Sequence, residues 1–136
     1  MQAVVRDDNS GLAIAARAAV IICAILVTGA SFCPPAWLPQ LFYSNNLEHF
    51  AAFYIVALGF CAARYRAPLV RVLRDVAIFA TVLEAVRLIY PGPRPANFDH
   101  WVADLGGILA AAAPMLVSKF RWSFRPRLPT TVAPDV

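Results

Sequence analysis

Charge is scarce in this chain. Asp, Glu, Lys and Arg make up 15% of its 136 residues, against about 25% in ordinary globular domains. With 60% hydrophobic residues and a mean hydropathy of +0.63, it has too little polar surface to clothe a small soluble domain. Cysteine is scarce as well. Cys23, Cys33 and Cys61 show no C-x-x-C spacing, and their odd number offers no disulfide framework. Cys23 and Cys61 fall inside apolar segments, where cysteine behaves as a small hydrophobe. Glycine-rich phosphate loops are missing, and so is a G-x-S-x-G nucleophile elbow. Ser10, Ser31, Ser44, Ser118 and Ser123 all lie at segment ends or in loops. No H-E-x-x-H pair is present, so no metal or other cofactor is expected.

What the chain does hold is a series of long apolar runs. A membrane-spanning helix needs about 20 residues, and the length accommodates four such helices with no room for a domain outside them. The first run is Gly11 to Phe32, with Arg17 near its start, where the guanidinium can snorkel to the near interface. A basic start before an apolar run also resembles a signal peptide, and Thr28-Gly29-Ala30 offers small residues for cleavage. A retained helix is preferred because the apolar region exceeds a signal core. Cys33-Pro34-Pro35-Ala36-Trp37-Leu38-Pro39 breaks the helix, and Trp37, Phe42 and Tyr43 suit a membrane interface.

The second helix is expected over 47–63, with Asn45 or Asn46 as its cap. Arg64, Tyr65 and Arg66 end it, and Pro68 opens the third, over 68–90, in its first turn. The third is most apolar from Val76 onward, and Pro91-Gly92-Pro93-Arg94-Pro95 stops it. The fourth is expected over 99–117, with Pro114 bending its end. The expected architecture is an all-α membrane protein, a four-helix transmembrane bundle over residues 11–118. Residues 1–10 form a short cytoplasmic segment, and 119–136, with three prolines, a disordered cytoplasmic tail.

Lys and Arg divide unevenly between the two ends of these helices. Arg6, Arg17, Arg64, Arg66, Arg71, Arg74, Lys119, Arg121, Arg125 and Arg127 fall on one side, ten of the 12 basic residues. Only Arg87 and Arg94 fall on the other, and Ser31 to Glu48 carries none. The positive-inside rule then puts both termini in the cytoplasm. The net charge of +4 therefore reads as membrane orientation rather than nucleic-acid binding. Membrane lipids are the expected partners. On the fourth helix Gly106, Gly107, Ala110 and Ala111 form two interleaved small-x-x-x-small pairs. Packing within the chain is the preferred reading of this face, with homo-oligomerisation left open.

The less basic side gathers Glu48, His49, Glu84, Arg87, Arg94, Asp99, His100 and Asp104. Ionisable residues at or inside a bilayer are costly, which makes them a functional hypothesis by default. Glu84 and Arg87 are three apart on one helix face and can pair. Glu84 lies six residues from Tyr90, roughly 9 Å below the helix end. His100 and Asp104 share a face of the fourth helix, with Asp99 about 100° away. The expectation is one outward-opening polar pocket of His49, Glu84, Arg87, Arg94, His100 and Asp104, with Glu48 and Asp99 peripheral. Arg87 and Arg94 suit phosphate or carboxylate, because guanidinium offers a bidentate fork.

Asn45-Asn46-Leu47-Glu48-His49-Phe50-Ala51-Ala52-Phe53, followed by Leu58-Gly59, resembles the Asp-Lys-x-x-His-Phe-x-Ala-Tyr…Leu-Gly motif of VanZ-like membrane proteins. Glu84 stands where that family has a third-helix glutamate, and Pro91-Gly92-Pro93-Arg94 is similar to its Pro-Gly-Arg turn. Trp101-Val102-Ala103-Asp104-Leu105-Gly106-Gly107 resembles its fourth-helix Asp-x-x-Ala-Asn/Asp-x-x-Gly run. The likeness covers about residues 45–113. Asn45 and Asn46 depart from the family's aspartate and lysine, Arg87 from a frequent glutamine, and a proline is inserted before Arg94. In the fourth helix His100 occupies the first polar position and Asp99 sits one residue early. The resemblance implies a multi-pass protein of the bacterial inner membrane. Named relatives are associated with lowered sensitivity to the glycopeptide teicoplanin.

Three functions follow as expectations. The first is a binding module in which Arg94, Arg87 and His49 hold an anionic envelope-lipid or lipid-linked cell-wall precursor group, with Glu84 positioning Arg87. The second is a structural or accessory protein whose polar residues fasten the bundle. The third is an acid/base enzyme or proton-coupled transporter using Glu84, His49, His100 and Asp104. With no nucleophile or catalytic template recognised, no catalytic residue is assigned.

Overall fold

A computed structural model describes residues 11–39, 41–90 and 92–124. Four α-helices follow one another: α1 Gly11–Phe32, α2 Asn45–Ala63, α3 Leu69–Ile89 and α4 Phe98–Ser123, with a 3₁₀ turn at Pro35–Trp37. Among the described residues there is no strand. α2 packs against each of the other three, most extensively α4. The core is small and aliphatic. Phe53, Val56 and Ala57 of α2 meet Val76, Ala80 and Leu83 of α3 and Ile108 and Ala111 of α4. The buried positions of α3, namely Val72, Val76, Ala80, Leu83 and Arg87, recur at three- and four-residue intervals, as one face of a helix requires.

α2 and α4 touch through backbone. A Cβ built on Gly107 would overlap the Phe50 carbonyl oxygen and approach the Tyr54 amide nitrogen to 2.9 Å. A Cβ built on Gly106 would meet the Phe50 ring at 3.4 Å, while Ala111 is fully buried and Ala110 half-buried. Part of the small-residue face is thus used inside the chain. α1 docks by a similar approach, with Val20 against Gly59 of α2, where a Cβ would come within 2.9 Å. Cys23 and Val27 of α1 pack against the core, and Cys61 of α2 is buried.

Three helices are long and apolar enough to cross a membrane: Ala13–Phe32, Asn45–Ala63 and Phe98–Arg121. α3 is not among them. Arg74, Asp75, Glu84 and Arg87 confine its longest uncharged stretch to Val76–Leu83. Several boundaries move. α2 begins at Asn45, so Ser44 takes the cap position and neither asparagine caps. Pro68 is the residue before α3 rather than part of its first turn. α4 continues through Pro114 and Lys119 to Ser123, so the segment expected as tail starts as helix. Residues 125–136 of that tail, like the N-terminal segment 1–10, lie outside the described residues.

The two ends of the bundle differ in charge. At one end Arg17 of α1, with Arg64 and Arg66 after α2, lines a cavity of about 440 Å³. A neighbouring cavity is lined by Arg64, Arg66 and Lys119 of α4. Arg64 also reaches Asp75 of α3 at 2.8 Å, and Arg74 reaches the same carboxylate at 3.0 Å.

Candidate functional site

The opposite end holds the acid–base residues, arranged in two groups that serve different purposes. The first is a clasp around the α3–α4 connection. Arg87 is 1% exposed, yet each of its three guanidinium nitrogens has a polar partner. It donates to Glu84 Oε2 at 2.7 Å, from Nε and Nη2 to the Arg94 carbonyl at 3.2 and 3.1 Å, and from Nη2 to the Pro95 carbonyl at 3.2 Å. The other Glu84 oxygen accepts the Asn97 amide at 2.6 Å. Carbonyls that a proline-rich loop leaves without backbone partners thereby gain donors. The expected Glu84–Arg87 pair is formed, but it grips protein, and Arg87 has no fork left for a ligand.

The second group joins α2 to α4. His49 Nδ1–H donates to Asp104 Oδ1 at 2.9 Å, an ion pair when the ring is protonated. Asp104 is 2% exposed, so its imidazole partner replaces the water it lost. His100 stacks on His49 with ring centroids 4.4 Å apart and planes 7° from parallel. The Asn45 amide donates to His100 Nε2 at 2.8 Å, while His100 Nδ1 is buried with no partner among the described residues. The helical register explains the convergence. His100 and Asp104 are one turn apart on α4, and the contact at Gly107 brings that face against Asn45 and His49 of α2.

The two remaining acids belong to neither group. Glu48 Oε1 accepts the amides of Leu41 and Phe42 at 3.0 and 3.4 Å, fixing the segment before α2. Asp99 is exposed; its amide donates to Asn97 Oδ1 at 3.0 Å, which makes Asn97 the side-chain cap of α4. Among the described residues no three His, Cys, Asp or Glu side chains converge as metal ligands would.

Arg94 faces differently from Arg87. Its carbonyl belongs to the clasp, but its side chain lines a cavity of about 410 Å³ between α1, the segment before α2 and α2 itself. His49 and Glu48 line the same cavity. Among the described residues the Arg94 guanidinium has no hydrogen-bond or ion-pair partner. The expected single pocket is therefore divided. Glu84 and Arg87 form the clasp, the His49–Asp104 pair with His100 stacked on it joins α2 to α4, and Arg94 and His49 meet at a cavity. Reading the sequence missed Asn45 as a partner of His100, Asn97 as the link between Glu84 and α4, and the α1 wall of the cavity. The only local hint was the position of both asparagines beside helix starts, where capping is the ordinary use. Compared with known proteins, the chain matches no family model, no curated protein and no solved structure.

Proposed function

We propose that this chain is a VanZ-like inner-membrane protein that crosses the bilayer four times and binds an anionic envelope-lipid or cell-wall precursor group at its outward end. Membrane residence is supported by three spanning-length apolar helices and by exposed apolar side chains such as Ile21, Ile25, Ile78, Val82 and Leu109. At 1.5 Å per residue, α1, α2 and α4 are roughly 33, 28 and 39 Å long, against a hydrocarbon core of about 30 Å. α3 is included as the fourth span because its central stretch Val76–Leu83 is uncharged, and Asp75 on one side of it and Glu84 with Arg87 on the other have ion-pair partners, which lowers their cost in lipid. Arg17, Arg64, Arg66 and Lys119 around one end of the bundle support cytoplasmic termini. Cysteine labelling of the turn between α2 and α3 from outside intact cells would overturn that orientation.

The observation that carries the binding role is the Arg94 guanidinium, without a hydrogen-bond or ion-pair partner among the described residues and set beside His49 at a cavity. A guanidinium there takes a phosphate or carboxylate in its fork. In detergent, Arg94→Ala is expected to weaken binding of lipid-linked phosphates at least tenfold. Equal binding by the variant, or none by the unaltered chain, removes this role. A consequence for teicoplanin sensitivity rests on the VanZ resemblance and is tested by exposing cells with and without the gene to the drug.

One observation favours the accessory reading for two of these residues, Glu84 and Arg87. Every Glu84 and Arg87 contact described above is to this protein itself. Glu84→Gln is accordingly expected to lower stability and leave lipid-phosphate binding unchanged.

A further inference from the structure

The cavity beside Arg94 is mostly apolar. Val27 and Ala30 of α1, Leu38 and Phe42 before α2, and Ala52 and Ile55 of α2 form its walls. Its volume of about 410 Å³ is within the range of small-molecule sites, about 300–1,000 Å³. Four polar side chains reach it, and two of them are committed to the protein. The Ser31 hydroxyl donates to the Val27 carbonyl at 2.8 Å, and Glu48 holds the Leu41 and Phe42 amides. Arg94 keeps its whole fork. His49 is held through Nδ1 by Asp104, and among the described residues its Nε2 is neither bonded nor buried.

A free inorganic anion would satisfy Arg94 and leave the apolar walls unmatched. A neutral hydrocarbon would do the reverse. Building on the proposed headgroup binding, we infer that the occupant is one anionic amphiphile: a phosphate head on Arg94, within reach of His49, and a single alkyl or isoprenyl chain between α1 and α2. An amphiphile drawn from the bilayer gains no hydrophobic drive by moving its chain from lipid into the cavity, so the chain is held by packing against these walls and the head supplies the attraction and the selection. α1 thereby becomes part of the site, since it contributes one wall.

The test uses the full chain in phosphatidylcholine nanodiscs with a dodecyl phosphate bearing a photoactivatable diazirine on its alkyl chain, and peptide mapping of the products. Labelling is expected at Val27, Ala30, Ala52 and Ile55, about tenfold above that at Leu109, an exposed residue of α4. Ala52→Trp fills the cavity and is expected to reduce this labelling at least fivefold. Arg94→Ala, which leaves the clasped carbonyl in place, is expected to reduce it similarly, and Arg94→Lys to restore part of it. Retained labelling in Ala52→Trp, or even labelling of Leu109 and the cavity residues, overturns the chain site. In the second case, dodecyl phosphate binding that still depends on Arg94 leaves the headgroup reading standing. Cavity labelling unaffected by Arg94→Ala overturns both. Thermal unfolding of each variant is followed in the same discs, and a folded Arg94→Lys carries the head test should Arg94→Ala not fold.

Discussion

His49 and Asp104 stand 55 positions apart in the chain and meet at 2.9 Å, the imidazole holding a carboxylate that is 2% exposed. The same ring lies flat on His100, which is held in turn by Asn45. One buried acid thus ties the start of α2 to the start of α4. It also leaves the other side of the His49 ring beside the Arg94 cavity.

Asp104→Ala would strand His49 Nδ1 and open space beneath it. A lost partner of this kind costs about 1–3 kcal/mol, which should appear as a lower unfolding midpoint in detergent. Asp104→Asn keeps an acceptor for Nδ1–H and should lose less. Equal midpoints for Ala, Asn and the unaltered chain would show that the pair contributes nothing to stability.

Arg87→Ala should be far more damaging, because it leaves Glu84 and the Arg94 and Pro95 carbonyls without their donor. Removing one member of a buried ion pair costs about 3–5 kcal/mol. By contrast, Asp75→Asn breaks contacts to two exposed arginines, and surface pairs are worth about 0–1 kcal/mol. Denaturant titrations of both variants should separate them clearly; similar losses would contradict the clasp.

Adjacent glycines are expected to respond in opposite ways. Alanine gains about 1 kcal/mol over glycine in a helix interior. At position 106 the new methyl meets only the edge of the Phe50 ring at 3.4 Å, so Gly106→Ala should be neutral or mildly stabilising. At position 107 it would press on the Phe50 carbonyl, which is backbone and cannot swing away. Overpacking costs about 1–3 kcal/mol, so Gly107→Ala should lower the unfolding midpoint. Equal effects at the two positions would rule out the close approach of α2 and α4.

Glu48→Ala should release the segment before α2. The Leu41 and Phe42 amides lose a charged acceptor, a bond worth about 1.5–3 kcal/mol. Their hydrogen exchange should accelerate roughly tenfold or more, with amides in the middle of α2 unchanged. Unaltered exchange at both residues would count against the bond.

Much of the molecule follows from local pattern. Long apolar runs separated by proline clusters specify the helices to within a few residues, because periodicity and chain breakers act between neighbours. Three- and four-residue spacings likewise announce that Glu84 can reach Arg87 and that His100 and Asp104 share a face. The excess of arginine beside one set of helix ends needs no tertiary information either. Where local pattern misled, a competing partner had won. Asn45 turned from capping to His100, and helix α4 ran on past Pro114.

What each polar group touches was decided only by packing. Whether His49 finds Asp104 depends on the rotation and register of two helices, and these are governed by how closely Gly107 lets α4 approach Phe50. Arg87 and Arg94 look alike in the sequence. One is surrounded by loop carbonyls and the other opens onto a cavity walled by α1. A residue's type announces what chemistry it offers, but only the helices packed around it determine which partner receives it.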